Sequence, residues 1–133
     1  MSDFKSQGNG RKRLRIVCVD EQPLFADAYG HIFSAAGHTA VSFHDGQAAW
    51  DYVASNIAAI DLIVLDQPLS RLDGLSLVAL LRLGGFSGQL IVHANELTEE
   101  QRGRFQDLSV DFILSKGFQS RDLFQIIELM AHV

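Results

Sequence analysis

Four ionisable side chains directly follow short apolar runs in this 133-residue sequence: Asp20, Glu21, Asp66 and Lys116. The clearest case is the run "LIVL" at 62–65, which ends on Asp66. An ionised carboxylate beside an apolar interior is unfavourable unless it lies at a wet edge or meets a cation. Three acids brought together raise one another's pKa values unless a positive charge is present, and Mg²⁺ suits them because it prefers oxygen ligands. The ammonium group of Lys116, the only lysine after residue 12, could pair with a carboxylate or a phosphoryl oxygen.

Each of these residues also has an ordinary explanation on its own. Asp20 and Glu21 stand just before Pro23 and could be acids at the start of a helix. Asp66 could end a strand by turning the chain, and Lys116 could be a surface lysine. Separate explanations are less satisfactory for the four residues together, because their position at one edge of the fold would then be a coincidence.

The elements that must position these side chains alternate along the sequence. Short β-like runs are predicted at 14–19, 39–43, 61–65, 89–93 and 111–115. Helical patterns are predicted at 23–36, 45–55, 74–83, 98–108 and 120–132. Asp45 is the predicted N-cap of the second helix, and Thr98 and Gln101 form a predicted capping box in the fourth. This alternation predicts an α/β fold with a parallel sheet between helices, which binds ligands at the carboxyl ends of its strands.

Composition is that of an ordinary globular protein, with 47% hydrophobic and 20% charged residues. The length suits one domain, predicted over 14–133, after a basic tail at 1–13 that is predicted to be disordered. No apolar run approaches the ~20 residues of a membrane span, and the first residues lack the apolar core of a signal peptide. The single cysteine, Cys18, excludes an internal disulfide and suits a reducing cytosol, so we expect a cytoplasmic protein without a membrane segment.

Charge is unevenly distributed along the sequence. Residues 1–15 contain five Lys and Arg and one acid, a net charge of +4, whereas residues 16–133 carry six basic and fifteen acidic side chains, a net charge of −9. The basic tail could contact nucleic acid or an acidic partner, but a solvated tail is the commoner explanation. The acidic body argues against general nucleic-acid binding by the folded part.

From about Leu14 to Met130 the sequence resembles the receiver domain of two-component response regulators. The motifs that carry the resemblance are "VDEQPL" after the first strand, "DGQAAW" at the second helix, "DLIVLD" followed by "LDG", and "LSKGF" near the end. The resemblance implies a flavodoxin-like fold, with a five-stranded parallel sheet and helices on both faces. It also implies a stand-alone receiver in a phosphorelay, since too few residues remain for an effector domain.

The resemblance further implies a role for each residue of the constellation. Asp66 would accept a phosphoryl group from a histidine kinase or a phosphotransfer protein. The domain would catalyse this transfer to itself, with no other enzymatic activity. Asp20, Glu21 and Asp66 would bind Mg²⁺ together with the backbone carbonyl of Pro68. Lys116 would pair with Asp66 or its phosphate, which fits phosphoryl transfer because positioning and charge neutralisation supply most of the catalysis.

Two switch positions depart from the family pattern. Ala94 stands where receivers usually have Thr or Ser, and Ile113 stands where an aromatic side chain usually changes rotamer on activation. A shifted alignment would place His93 at the first of these positions, where its ring could donate a hydrogen bond. Gly117 replaces the usual proline after the lysine, and Ser70 stands where a proline is common. The hypothesis is that the acceptor is still phosphorylated but that the usual coupling to the surface is absent.

Two other functions stay open at this point. A pseudo-receiver would be a protein-docking module that never uses a phosphate, which the altered switch favours and the retained acids and lysine oppose. A Mg²⁺-dependent phosphohydrolase is disfavoured, because that class typically carries a second Asp two residues after its nucleophile and neither "DEQ" nor "DQP" does. Output is expected through a downstream protein that contacts the fourth helix, fifth strand and fifth helix. Homodimerisation stays open.

Overall fold

The structure, a computed structural model, describes residues 11–117 and 119–132. Five strands form one sheet: β1 (Arg15–Val19), β2 (Thr39–Phe43), β3 (Leu62–Leu65), β4 (Gln89–Ala94) and β5 (Phe112–Ser115). Five α-helices connect or follow them: α1 (Pro23–Ala35), α2 (Gly46–Ala54), α3 (Gly74–Leu83), α4 (Glu99–Asp107) and α5 (Ser120–Ala131). A 3₁₀ turn lies at Ile57–Ala59. All neighbouring strands are parallel and their order is β2-β1-β3-β4-β5, which confirms the predicted sheet.

Helices cover both faces of this sheet, as predicted for a flavodoxin-like fold. Successive strand residues point to opposite faces, so one run of apolar residues can serve two cores. The first core joins the sheet to α2, α3 and α4 and includes Val17, Leu65, Val92, Val53, Leu81 and Phe105. The second joins it to α1 and α5 and includes Ile16, Cys18, Val64, Ile91, Phe33 and Leu123.

The helix starts follow local chemistry that is visible in the sequence. Pro23 opens α1, where its missing N–H has no helical partner to lose. Asp45 caps α2 by accepting a hydrogen bond of 2.8 Å from the backbone N–H of Ala48. Thr98 and Gln101 exchange the two hydrogen bonds of a capping box at α4. None of the helices in the described residues is long and apolar enough to cross a membrane.

The start of the described chain lies against the end of α5. Arg11 forms an antiparallel bridge with His132, and its guanidinium group pairs with Glu128. The backbone N–H of Lys12 donates to the carbonyl of Ala131 at 2.5 Å. The predicted disorder at 1–13 falls largely on residues outside the described part, so the tail and its boundary at residue 13 stay predictions.

Candidate functional site

Three of the four residues of the predicted constellation meet at the carboxyl edge of the sheet. β1 and β3 are neighbours, with Val19 in register with Leu65, so the residues that follow them, Asp20 and Asp66, stand side by side. Lys116 follows β5 and reaches both. The next helices leave on opposite faces, α1 to one core and α3 to the other. This reversal is the topological switch point at which such sheets bind ligands.

The ammonium group of Lys116 lies between the two buried carboxylates. Its Nζ is 2.9 Å from Oδ2 of Asp66, to which it donates a hydrogen bond, and 2.7 Å from Oδ2 of Asp20. The residues are 6%, 8% and 1% exposed for Lys116, Asp66 and Asp20. Two buried acids and one buried cation leave a net negative charge, so the site can still attract a further cation.

Two contacts of Lys116 were not foreseen from the sequence. Nζ lies 4.2 Å from the ring centroid of Phe25, at the cation–π distance, and 3.5 Å from Oε1 of Gln22. Both residues stand in or just before α1, close to the acidic pair. The only hint in the sequence is that Gln22 and Phe25 lie close to Asp20. A contact with a lysine about 90 residues away leaves no pattern of spacing that could be recognised.

Backbone N–H groups orient the two acids. The N–H of Gln22 donates to Oδ1 of Asp20 at 2.9 Å, and the N–H of Gln67 donates to Oδ1 of Asp66 at 2.7 Å. In each acid one oxygen is therefore held by the local backbone, and the other is directed towards Lys116. Both carboxylates are therefore already oriented without a bound metal ion or phosphoryl group.

The loop after Asp66 folds back onto the start of α3 and depends on Gly74. A Cβ atom at residue 74 would lie 2.7 Å from the backbone oxygen of Asp66 and 2.5 Å from Oε1 of Gln67. The side-chain amide of Gln67 donates to Asp73 at 3.0 Å. The motif "LDG" thus supports the loop next to Asp66: Asp73 accepts a hydrogen bond from Gln67, and Gly74 permits the close approach.

Burial raises the pKa of Asp66 to about 6. This pKa is the balance of several effects: the charge of nearby Asp20 also raises it, whereas the hydrogen bonds from Lys116 and the N–H of Gln67 lower it. The group is ionised at neutral pH yet less stabilised than an exposed carboxylate. Such a carboxylate is a suitable nucleophile, and perturbed acids of this kind cluster at functional sites.

The donor set fits Mg²⁺ in its main features. Oδ2 of Asp20 is buried and has no hydrogen-bond partner, since its close contact with Lys116 lacks hydrogen-bond geometry. Mg²⁺ binds through one or two carboxylates and keeps several waters, so this oxygen and Asp66 are sufficient protein ligands. A cleft of about 350 Å³ opens beside them, lined by Glu21, Gln22, Asp66, Gln67, Pro68, Asn95 and Glu96.

Glu21 and Pro68 differ from the two buried acids in their exposure. Both line the cleft and both are exposed. Within 11–117 and 119–132, no three His, Cys, Asp or Glu side chains converge closely enough to hold a metal as they stand. The structure therefore brings Asp20 to Asp66 but leaves the Glu21 carboxylate outside that contact. Its part in binding Mg²⁺, like that of the Pro68 carbonyl, stays a prediction.

The two switch positions lie on neighbouring strands beside the site. Ala94 ends β4 and is 3% exposed, and it belongs to the core under α2, α3 and α4. Ile113 lies in β5 in register with Val92 and is half-buried against the same core. Neither side chain has a polar atom, so neither can hydrogen-bond a phosphoryl group.

His93 instead faces the opposite side of β4. Its ring is 1% exposed, and its Nδ1 and Nε2 contact the hydroxyl groups of Tyr29 and Ser120, which belong to α1 and α5. Since neighbouring residues in a strand alternate faces, His93 and Ala94 cannot point to the same side. The alternative placement, with His93 donating to the phosphoryl group, has no support in this geometry.

Comparison with known proteins agrees with this fold. Residues 16–128 match the family model described as the response regulator receiver domain. The gliding motility regulatory protein of Myxococcus xanthus is 31% identical over 114 residues, 84% of this chain and 14% of that protein. The response regulator MprA of Mycobacterium avium is 30% identical over 110 residues, 83% of this chain and 47% of that protein. The chain thus spans less than half the length of either relative.

Solved structures show the same fold. The chemotaxis protein CheY4 of Vibrio cholerae has a TM-score of 0.77 at 18% identity, covering 88% of this chain and 98% of that one. The receiver domain of Francisella response regulator 1452 has a TM-score of 0.77 at 23% identity, covering 90% and 97%. From the match over residues 16–128 and the fold shared with solved receiver domains, we conclude that the chain belongs to the receiver domain family of response regulators, which act in two-component signalling.

Proposed function

We propose that this receiver domain accepts a phosphoryl group on Asp66 in the presence of Mg²⁺, from a histidine kinase or a phosphotransfer protein. The observation that carries the proposal is the Lys116 ammonium group between the buried carboxylates of Asp20 and Asp66, beside an open cleft. Phosphoryl transfer depends mainly on positioning and charge neutralisation, and this arrangement supplies both.

In the proposed reaction an oxygen of Asp66 forms the new P–O bond, while the P–N bond of a phosphohistidine donor breaks and the donor nitrogen keeps the electron pair. The backbone N–H of Gln67 orients the carboxylate through its Oδ1. Lys116 neutralises charge on the acceptor before transfer and on the phosphoryl oxygens after it. Bound Mg²⁺ would neutralise further phosphoryl charge, with Asp20 and Asp66 as ligands, joined by Glu21 and the Pro68 carbonyl at the cleft.

The domain is proposed to have no enzymatic activity other than this self-catalysed transfer, and to act in the cytoplasm, where its single buried thiol, Cys18, suits a reducing environment. Output would go to a protein partner through the surface of α4, β5 and α5. β5 is an edge strand, and exposed apolar side chains lie on two of these elements, Phe112 at 40% and Leu129 at 73%. Homodimerisation through the same surface is an alternative outcome.

The readout is proposed to be atypical because Ala94 and Ile113 lack the groups of the usual switch. Phosphorylation should then move α4 and β5 less than it moves them in a typical receiver. Amide NMR shifts on addition of a phosphodonor measure this movement. Shifts across α4 and β5 as large as those of a receiver with Thr and an aromatic at these positions would contradict the proposal.

Intact-protein mass spectrometry after incubation with acetyl phosphate tests the chemistry. The wild type should gain one phosphoryl group with Mg²⁺ and none with EDTA, and Asp66→Asn should gain none under either condition. A Mg²⁺-independent adduct, or an adduct on Asp66→Asn, would place the reaction elsewhere.

The second candidate is a pseudo-receiver that docks a protein without phosphorylation. The apolar switch positions favour it, since a docking module has no use for a phosphoryl-binding hydroxyl. If the wild type gains no phosphoryl group and binds no Mg²⁺ in calorimetric titration, the pseudo-receiver is supported and the phosphoacceptor function is contradicted.

A further inference from the structure

A chain of hydrogen-bonded polar groups connects α1 to Lys116 through the second core; Tyr29 and His93 are buried and Ser120 is half-buried. The hydroxyl of Tyr29 lies 2.5 Å from Nδ1 of His93, and Nε2 of His93 lies 3.3 Å from Oγ of Ser120. Oγ of Ser120 donates to the backbone carbonyl of Lys116 at 2.5 Å. Tyr29 and His93 are 4% and 1% exposed. Buried polar groups of this kind are retained only where they are paired, and here each one is paired in series.

Only one arrangement of hydrogens satisfies the whole chain. The single hydroxyl hydrogen of Ser120 goes to the carbonyl of Lys116, so Oγ must accept from His93, which therefore carries its hydrogen on Nε2. Nδ1 is then an acceptor, and Tyr29 donates to it. Burial, followed by the charge of Lys116, lowers the pKa of His93 to about 4, so the ring is neutral at neutral pH. Burial also raises the pKa of Tyr29, which keeps its hydrogen available.

The backbone of Lys116 is held at two points: its N–H donates to the carbonyl of Ala94 at 2.9 Å, and its carbonyl accepts from Ser120. Gly117 is exposed, and a Cβ atom placed there would meet nothing within 4 Å. Next to it, the side chain of Gln119 accepts from the N–H of Ser115 at 2.9 Å and its own N–H donates to the Ser115 carbonyl at 2.8 Å. Gln119 and Ser120, at the start of α5, therefore hold the turn after β5, and Ser120 bonds the carbonyl of Lys116 while Ala94 of β4 bonds its N–H.

We propose that Tyr29, His93 and Ser120 are positioning residues that fix the backbone of Lys116 and thereby hold its ammonium group over Asp66. The proposal rests on the phosphoacceptor function of Asp66 for its effect on rate. The three residues do not contact the acceptor. They act through Lys116, so their effect is on the rate of phosphoryl transfer, in which its ammonium group must contact the phosphoryl oxygens.

Rate measurements with matched variants test this role. Ser120→Ala removes the hydrogen bond to the carbonyl of Lys116, and Ser120→Thr keeps a hydroxyl group that can form it. Ser42→Ala is the control, because Ser42 also donates its hydroxyl to a backbone carbonyl, that of Ala26 at 2.8 Å, but outside the chain of contacts to Lys116. With acetyl phosphate and Mg²⁺, Ser120→Ala should slow the rate of adduct formation about fivefold, the effect of one positioning hydrogen bond. Ser120→Thr and Ser42→Ala should both stay within about twofold of the wild type.

Equal rates for Ser120→Ala and Ser42→Ala would overturn the proposal. A Ser120→Thr variant as slow as Ser120→Ala would also overturn it, because the loss of rate would then come from altered packing and not from the missing hydroxyl. Tyr29→Phe removes only the first hydroxyl, and it should slow phosphorylation in the same direction with a smaller effect.

Nitrogen-15 NMR of the wild type gives a readout that does not depend on phosphorylation. His93 should be neutral with its hydrogen on Nε2 at neutral pH, and Ser120→Ala should shift the amide and ammonium signals of Lys116, whereas Ser42→Ala should not. A His93 ring with its hydrogen on Nδ1, or Lys116 signals that do not shift in Ser120→Ala, would overturn the proposed positioning role. If the wild type shows these signatures but gains no phosphoryl group, the proposed function fails and the positioning of Lys116 stands.

Discussion

Replacing Asp66 by asparagine should stabilise the fold when Mg²⁺ is absent. The side chain is 10% exposed and lies beside a second buried acid, Asp20. Burial and this neighbour raise its pKa from 3.8 to about 6 even though Lys116 opposes the change. At neutral pH the carboxylate is thus held ionised in surroundings that favour its neutral form, and an amide of the same shape removes that cost.

The magnitude follows from the linkage of protonation to folding. A native pKa of about 6 against the ordinary 3.8 corresponds to about 3 kcal/mol, at about 1.4 kcal/mol per pKa unit. Because the native state binds this proton more tightly than the unfolded chain, the cost is absent below about pH 4, grows between about pH 4 and pH 6, and is complete above that window. The value is an upper limit, because Lys116 bonds an amide oxygen less strongly than a carboxylate.

Urea denaturation in EDTA at about pH 5 and about pH 8 measures the effect. The free energy of unfolding of Asp66→Asn should exceed that of the wild type by about 1 to 3 kcal/mol at the higher pH, and the difference should narrow at the lower pH. Glu21→Gln is the matched control: its carboxylate lines the same cleft but is exposed, so its change should stay within about 0.5 kcal/mol. Mg²⁺ should then stabilise the wild type more than Asp66→Asn.

Two results would refute this reasoning. A variant less stable than the wild type at about pH 8 in EDTA would mean that the ion pair with Lys116 outweighs desolvation of Asp66. A stability difference that does not narrow as the pH falls through the window would mean that another group causes it.

Three further predictions concern the free energy of unfolding in urea. Lys116→Met leaves two buried carboxylates without a cation and should cost about 3 kcal/mol in EDTA, with part of the loss regained on adding Mg²⁺; no regain would speak against metal binding at this site. Gly74→Ala places a methyl group against the loop after Asp66 and should lower the free energy of unfolding by about 2 kcal/mol, whereas Gly103→Ala, in open space within α4, should raise it by about 1 kcal/mol; changes of the same sign would contradict this explanation. Thr98→Ala breaks the capping box and should cost about 1 kcal/mol, with Thr98→Ser close to the wild type, and a Ser variant as unstable as the Ala variant would exclude capping as the cause.

Much of the fold was predictable because its signals are local. An N-cap at Asp45 and a capping box from Thr98 to Gln101 depend on residues three positions apart, and both are present. Strands of four to six residues alternate with helices of 9 to 13 residues, each with the period that its burial requires. The position of Asp66 at a strand end is local in the same sense, since it follows the run "LIVL" in sequence and in structure.

The side to which His93 points could not be predicted from the pattern of its strand. β4 is buried on both faces, and "QLIVHA" is apolar almost throughout, so it lacks the alternation that distinguishes one face from the other. A sheet with one solvated face would have revealed the orientation. Here only the register between β4 and β5, with the two helices packed above it, turns the ring towards Tyr29 and Ser120.

Which acids meet the lysine was also decided by the tertiary structure. Asp20 and Glu21 are adjacent in sequence and equally charged, yet one is buried against Lys116 and the other is exposed at the cleft. The contact between Lys116 and Asp66 joins residues 50 positions apart across two strand connections. Local sequence places each charge at the end of its own strand because that depends on the neighbouring residues. Which charges then touch depends on strand order and on the direction of each side chain, and packing of the whole sheet sets both.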